Sequence, residues 1–318
     1  MVDLTKLIAR NGSSGDGDES SSRTGGSGAL STAPDQAPVF RNSDAIGGTA
    51  PGWQWHRDRL RRRLLQEAVE GISQDEIGAH FDGMPARYWD RISESELTWG
   101  LQTVHRFLTG LVATESGETA VAMDWRHFPR QDITKFLVCT WDRQGLLSKL
   151  AGYISALRLS VVRAEVYTRA DNIVLDVFWL CDGARRHIGD PERLRQLAFL
   201  LEGGLAEPPR FASAWAVDSH KLFPRKSTIP TRVTFNNVDS PQHTIVTVEA
   251  SERLGLLRDM LQVFYEYDFN INEALIDTID NVARDVFFVT DQHKSQIVDP
   301  QRLAAFESAM VKALEQPE

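Results

Sequence analysis

Two short segments of the chain carry the side chains needed to bind a small molecule with a carboxylate and an ammonium group. Each segment follows a strand-like run and precedes a helix-like run. The free backbone N–H groups at a helix start bind a carboxylate, and an acidic side chain beside them pairs with an ammonium group. A glycine lets a ligand approach the backbone. The candidate ligand-binding residues are Asp142, Arg143, Gln144, Gly145 and Leu146 in the first segment, and Glu252, Arg253, Leu254, Gly255 and Leu256 in the second.

The two segments differ at positions that affect binding. Glu252 has a longer stem than Asp142, and Leu254 places an apolar side chain where the first segment has Gln144. Binding is therefore expected first of all at the first segment. A purely structural interpretation stays open, in which the glycine makes a tight turn, the leucines fill the core and Asp142 caps the helix.

The two segments belong to a longer internal repeat, because Gly145 and Gly255 lie 110 residues apart and other residues recur at matching positions. A repeat of this kind indicates one structural unit that occurs twice. The matched residues are Ala164 with Ala274, Thr168 with Thr278, the Asp-Val-Phe runs at 176–178 and 285–287, and Asp190-Pro191 with Asp299-Pro300. Each Asp-Pro pair predicts a helix start, with Asp as the cap and Pro in the first turn.

The order of elements in each unit is strand, strand, helix, strand, strand, helix. This order predicts an α+β fold, with an antiparallel four-stranded sheet and two helices on one face, the ferredoxin-like arrangement. In the strand at 283–291 both faces are apolar, with Val286 and Phe288 on one and Phe287 and Val289 on the other. The face without helices must therefore be covered, and the two sheets, or two subunits, are expected to meet through or beside these strands. The predicted strands are 119–125, 133–141, 160–168 and 172–180, then 231–237, 243–251, 271–278 and 283–291.

The chain before the repeats divides into two parts. Residues 1–50 are rich in Gly, Ser and Thr, a composition typical of a disordered tail. Helical periodicity follows over 55–72, 73–81 and 93–111; Ser93 and Glu96 form a capping-box pattern, and Pro85 separates two helices. The predicted organisation is a tail at 1–50, a helical connector at 51–117, a first ferredoxin-like domain at 118–227 and a second at 228–318.

The bulk composition excludes several classes of protein. A net charge of −9 and a pI near 5.4 argue against a nucleic-acid or anionic-membrane partner. The cysteines, Cys139 and Cys181, are expected at opposite ends of neighbouring strands, too far apart to form a disulfide. No apolar run is long enough to span a bilayer and no secretory leader is visible, so a cytoplasmic protein is expected.

These motifs resemble the ACT-domain family. With "WDRQGLL", "SERLGLL" and the connector segment "MPARYWDRISESELTWGL", the chain is similar to the C-terminal tandem ACT region of the bacterial PII uridylyltransferase/uridylyl-removing enzymes, over residues 55–318. The resemblance implies an amino-acid sensor, with glutamine as the first candidate. It also implies a nucleotidyltransferase or PII-type protein as a partner and pairing of ACT sheets, which could form a homodimer.

No catalytic, metal-binding or cofactor site is predicted on this chain. Asp16-Gly17-Asp18 matches the sequence pattern of a nucleotidyltransferase carboxylate pair but has no flanking strand. The eight histidines are scattered along the chain, without the spacing of metal ligands. We therefore expect a non-catalytic amino-acid-sensing regulator of nitrogen or amino-acid metabolism. The alternative is a separately encoded part of a PII uridylyltransferase, active only with a nucleotidyltransferase partner. An RNA-binding sheet at 284–291 is disfavoured because Asp285 and Val286 replace the glycine and the stacking aromatic.

Overall fold

The structure is a computed structural model that describes residues 52–67, 69–113, 120–205 and 229–315. The tail predicted at 1–50 lies outside the described residues. The boundaries predicted at 117/118 and 227/228 also fall outside these ranges and stay predictions.

The described part of the connector, residues 52–67 and 69–113, contains four helices. They are α1 (Trp53–Glu67), α2 (Gln74–Gly83), α3 (Ala86–Arg91) and α4 (Glu94–Ala113). The predicted capping box at the start of α4 is confirmed, since the Glu96 N–H donates to Ser93 Oγ at 3.3 Å and the Ser93 N–H donates to Glu96 Oε2 at 3.2 Å. The sequence interpretation missed α3, because Pro85, expected only to break a helix, is the N-cap of the next one.

The two repeats contain the same elements in the same order. The first has β1 (Val121–Phe128), β2 (Ile133–Trp141), α5 (Leu146–Ala156), β3 (Ser160–Thr168), β4 (Ile173–Cys181) and α6 (Pro191–Gly204). The second has β5 (Arg232–Asn236), β6 (Thr244–Ser251), α7 (Leu256–Glu266), β7 (Asn270–Ile279), β8 (Val282–Thr290) and α8 (Pro300–Glu315). The predicted order of strands and helices is confirmed.

The eight strands form one continuous antiparallel sheet in the order β1-β2-β4-β3-β7-β8-β6-β5. Each half has the ferredoxin-like arrangement, with the first strand of the repeat at the outer edge. The halves join edge to edge through β3 and β7, where Ala164 lies opposite Ile276. The sheets therefore meet beside the Asp-Val-Phe strands β4 and β8, within one chain. Pairing between subunits stays a prediction.

Helices α5, α6, α7 and α8 pack on one face of this sheet and share one core. Its side chains come from both repeats, including Phe178 and Phe287 from the sheet and Leu150, Phe264 and Phe306 from the helices. Alternation along a strand places Phe178 and Leu180 toward these helices and turns Leu175 to the other face.

The connector covers the other face of the first repeat. Leu60, Phe81 and Trp89 of the connector form a second core with Leu137 and Leu175 of the sheet. The helix predicted over 55–72 is found as α1, which ends at Glu67; its Leu60 and Leu64 are buried and Leu65 is exposed. Helices of the same chain thus cover this apolar face of the first repeat. On β8 of the second repeat, where the need was predicted, Val286 and Phe288 are buried in a separate cluster and the Arg87 guanidinium lies over the Phe288 ring.

Several sequence details are confirmed at the element ends. Asp190 Oδ1 accepts from the Glu192 N–H at 2.9 Å, and Asp299 Oδ1 accepts from the Gln301 N–H at 3.0 Å, so both predicted caps form. Cys139 and Cys181 are free and buried at opposite ends of the β2–β4 pair. Within the described ranges, no helix is long and apolar enough to cross a membrane.

Candidate ligand-binding site

The first candidate segment is a tight loop between β2 and α5. The Asp142 N–H donates to the Asn172 carbonyl at 2.8 Å, which fixes the start of the loop against the β3–β4 turn. Gly145 is the N-cap of α5 and has a φ of 75°, a conformation in which side chains are strained. The expectation that Asp142 caps the helix is wrong, because Gly145 holds that position without a side-chain hydrogen bond. The Asp142 carboxyl is not needed as a cap.

The second candidate segment repeats this geometry. The Glu252 N–H donates to the Asn281 carbonyl at 2.9 Å, and Gly255, with a φ of 81°, is the N-cap of α7. Both turns place their glycine at a positive φ, which explains why Gly145 and Gly255 recur at the same place in the repeat.

The arginine of each segment is used to hold the protein together. Arg143 Nη1 donates to the Leu205 carbonyl at 3.0 Å, just past the end of α6. Lys149 Nζ donates to the same carbonyl at 2.7 Å. Arg253 pairs with Asp259 at 2.6 Å in the second repeat. Arg143 and Arg253 were predicted as ligand contacts, and these contacts favour a structural role.

The first segment lines a cavity of about 620 Å³. One wall comes from the first repeat, where Asp142, Gly145 and Thr168 line the cavity, and the opposite wall comes from the second repeat. Gln144 also lines the cavity, and its Nε2 donates to Asp268 Oδ1 of the second repeat at 2.9 Å. The lining residues of the second repeat include Leu261, Phe264, Asn270, Asn272, Glu273, Thr290 and Lys294. A molecule in this cavity would touch both repeats.

The second segment lines a cavity of only about 20 Å³, and three substitutions between the repeats account for the difference. Arg258 stands where the first repeat has the small Ser148, and its guanidinium projects into this region and binds Asp259 at 2.8 Å. Leu254 is buried, whereas Gln144 at the equivalent position is exposed. The longer side chain of Glu252 reaches Thr278, whose hydroxyl donates to Glu252 Oε2 at 3.1 Å.

The floor of the open cavity contains Asp176, which the sequence interpretation did not place in the site. Asp176 is 1% exposed and comes from the Asp-Val-Phe run of β4, which served only as a sign of the repeat. Burial, and then the nearby charge of Asp142, raise the pKa of Asp176 well above its usual range. An acidic residue inside an otherwise apolar strand was the signal that could have revealed it.

The electrostatics at the mouth involve Asp142 and Lys294. Asp142 is an exposed residue, but its carboxyl lies at the cavity wall, and this partial burial raises its pKa. The Arg143 N–H and the charges of Lys294 and Arg143 act in the opposite direction. Asp142 and Lys294 are thus a carboxylate and an ammonium group at one opening. Among the residues in the described ranges, no group of three His, Cys, Asp or Glu side chains is placed to hold a metal ion.

Comparison with known proteins identifies the class of fold. Residues 232–317 match the family model of the ACR9-like, ACT-like domain. The first repeat has the same elements and the same loop geometry as this matched segment. The chain therefore has two tandem repeats of this fold, and the second one matches the ACT-like family model.

Over most of its length the chain is similar to part of the bifunctional uridylyltransferase/uridylyl-removing enzymes. The enzyme of Gluconobacter oxydans is 28% identical over 273 residues, which are 84% of this chain and 28% of that enzyme. The enzyme of Azospirillum brasilense is 29% identical over 294 residues, 88% of this chain and 30% of that enzyme. The predicted resemblance to the C-terminal regulatory region of these enzymes is confirmed. The chain spans less than a third of the length of these relatives.

The solved structure of aspartate kinase from Synechocystis also matches. The match covers 58% of this chain and 26% of the kinase chain, with 13% identity and a TM-score of 0.31. A likeness at this level supports no conclusion about function.

Proposed function

We propose that this chain is an amino-acid-sensing regulatory unit that binds one small amino acid in the first-repeat cavity. The observation that carries the proposal is the cavity of about 620 Å³ between the repeats, which is lined by the predicted loop. It presents the amides at the start of α5 to a carboxylate and Asp142 to an ammonium group. Because both repeats form the walls, an amino acid bound there would stabilise one relative arrangement of the two halves.

Glutamine is the first candidate ligand, by the resemblance to the uridylyltransferase/uridylyl-removing enzymes. The polar wall at Asn270, Asn272 and Thr290 offers partners for a side-chain amide. The regulated partner is proposed, on the same resemblance, to be a nucleotidyltransferase or a PII-type protein. The alternative function is a separately encoded part of a PII uridylyltransferase. It is supported only by the names of the relatives.

Thermal denaturation with each of the twenty amino acids tests amino-acid binding. A ligand at about 100 times its Kd stabilises the folded state by about 2.7 kcal/mol. For a protein of this size the midpoint should rise by roughly 5 to 10 °C. Glutamine or a close relative should produce this rise, and no rise with any amino acid would contradict the proposal.

Asp142→Asn locates the site. The substitution removes the charge that faces the ligand's ammonium group but keeps the backbone N–H that bonds to Asn172. It should remove most of the rise and leave the unliganded midpoint nearly unchanged. Glu252→Gln is the matched control, because Glu252 lines the closed cavity and is bonded to Thr278. An undiminished rise in Asp142→Asn would show that the amino acid binds elsewhere.

A further inference from the structure

We propose that Asp176, at the floor of the open cavity, binds the ligand's ammonium group together with Asp142, so that the ligand is a small molecule with a primary ammonium group. This inference rests on the proposed function, since it names the chemistry that the first-repeat cavity accepts. Neutral and anionic molecules that lack such a group should be excluded.

The position of Asp176 directs its carboxyl into the cavity. Side chains alternate along β4, and Val174 and Phe178, two residues to either side, lie in the core under the helices. Asp176 therefore points to the same face, between the sheet and the start of α5, where Gly145 and Ser148 also line the cavity. A carboxylate here lies at the deep end of a space whose mouth carries Asp142.

The Asp176 carboxyl has no hydrogen-bond partner among the described residues. Both oxygens are fully buried and neither meets the geometry of a hydrogen bond. The backbone N–H of Tyr167 lies near enough to favour the ionised form, but its effect is smaller than that of burial. Buried polar groups in proteins are nearly always paired, so an unpaired carboxylate that opens into a cavity indicates a partner that enters from outside.

The second repeat contains an internal comparison. Asp285 occupies the equivalent place on β8 and is equally buried. Its Oδ1 accepts from the Asp277 N–H at 3.2 Å, and it lines the cavity of about 20 Å³. An aspartate at this place therefore has a protein partner where the cavity is closed. Of these two equivalent aspartates, Asp176 is the one that combines an unpaired carboxyl with an open cavity.

The charges around the cavity favour a cation between Asp142 and Asp176. The two carboxylates raise each other's energy when both are ionised, and one ammonium group near both relieves this repulsion. The lining arginines are already engaged, Arg143 with the Leu205 carbonyl and Arg169 with both carboxylate oxygens of Asp171 at 3.1 and 2.8 Å. Lys294, which lies near Asp142 at the same opening, can donate to the ligand's carboxylate.

Calorimetric titration of Asp176→Asn with the amino acid selected by the thermal screen tests this assignment. The substitution keeps the size of the side chain and removes the carboxyl group that would be ionised beside a bound ammonium group. Affinity should fall roughly 10- to 150-fold, the usual effect of losing a hydrogen bond to a charged group. The N-acetyl derivative of the same amino acid, which has no ammonium group, should not bind the wild-type protein. Asp176→Ala is the second variant, should Asp176→Asn fail to fold.

Asp285→Asn is the matched control, because it removes the equivalent charge from the closed cavity. It should leave the affinity unchanged. If the amino acid binds Asp176→Asn or Asp176→Ala as tightly as wild type, or if the N-acetyl derivative binds, the role of Asp176 is refuted while amino-acid sensing stands.

Ethylammonium chloride separates the two proposals when no amino acid binds. It should raise the wild-type melting midpoint above that in tetramethylammonium chloride at the same ionic strength, and the difference should vanish in Asp176→Asn. That result would support the ammonium site and reject amino-acid sensing. No difference between the two salts, with no amino-acid binding, would overturn both.

Discussion

The buried carboxyl of Asp176 should make the stability of the protein depend on pH. Its pKa is raised in the folded state, so the folded protein holds a proton that the unfolded chain releases near pH 4. The free energy of unfolding therefore falls as the pH rises from about 4 through the raised pKa. The charged or titratable groups that share its cavity are Asp142, Arg143, Arg169, His243, Glu273 and Lys294.

Asp176→Asn removes this dependence. In the absence of ligand the variant should match the wild type near pH 4.5 and be more stable at pH 8, because Asn carries no charge that burial penalises. Thermal melts across this range measure the difference. Asp291→Asn is a control of opposite sign, since backbone N–H donors lower the pKa of Asp291 and its loss should destabilise the protein at pH 7 more than at pH 3. A stability gain of Asp176→Asn that does not grow with pH would contradict the prediction.

Side chains at the predicted loop were recognisable because their types and their position before a helix follow general rules. Asp142, Gly145 and Leu146 lie where the sequence predicted them. Asp176 could not be assigned in the same way, since its distance from Asp142 depends on how β4 lies beside β2. The cap role of Asp142 was wrong because a glycine in the left-handed conformation displaced it from the N-cap.

The two β-loop-α elements are alike in backbone but differ in what fills the space above the sheet. The predicted order of elements is confirmed because hydrophobic alternation and Asp-Pro caps are local signals. The difference between a cavity of about 620 Å³ and one of about 20 Å³ depends on Arg258 and Leu254 packing against the other repeat. A long-range contact of this kind leaves no local signature. Leu254 in place of Gln144 predicted weaker binding at the second segment, and this stays a prediction.

This asymmetry predicts one ligand per chain. Gly145→Ala and Gly255→Ala are a matched pair, because both glycines have a positive φ that alanine adopts with similar strain. Each should lower the stability by about 1 kcal/mol. Only Gly145→Ala should weaken binding of the amino acid in a calorimetric titration. A stoichiometry of two, or equal loss of affinity in the two variants, would show that the second loop also binds.

The molecule as a whole is organised so that the connector touches both repeats near the open cavity. Pro85, at the start of α3, lines the cavity, and the Gly83 carbonyl accepts from the Ala170 N–H at 2.9 Å. Arg87 of α3 reaches the second repeat, with its guanidinium 3.9 Å from the centre of the Phe288 ring and 3.6 Å from Glu273 Oε2. Glu273 also lines the cavity. A change in the conformation of the cavity can therefore alter the position of the connector through these direct contacts.

Arg87→Gln should reveal how strongly the connector is held to the second repeat. Burial raises the pKa of Glu273 to about 7, the charge of Arg87 opposes this shift, and Asp90 adds to it. Because the folded pKa is raised, Glu273 destabilises the fold as the pH rises through 7, and it does so more when Arg87 is absent. The variant should lose about 1–3 kcal/mol at pH 8, from the ring contact and the ion pair together, and less at pH 5.5.

Urea denaturation at pH 5.5 and pH 8 measures this loss, with Arg195→Gln as the control. Arg195 forms an exposed pair with Glu192 on one face of α6, so its loss should cost no more than about 0.5 kcal/mol at either pH. A larger loss of unfolding free energy for Arg87→Gln at pH 8 than at pH 5.5 would show that the contact between the connector and the second repeat depends on the protonation of Glu273. An equal loss at both pH values would mean that the ring contact alone holds α3, and that Glu273 does not couple the cavity to the connector.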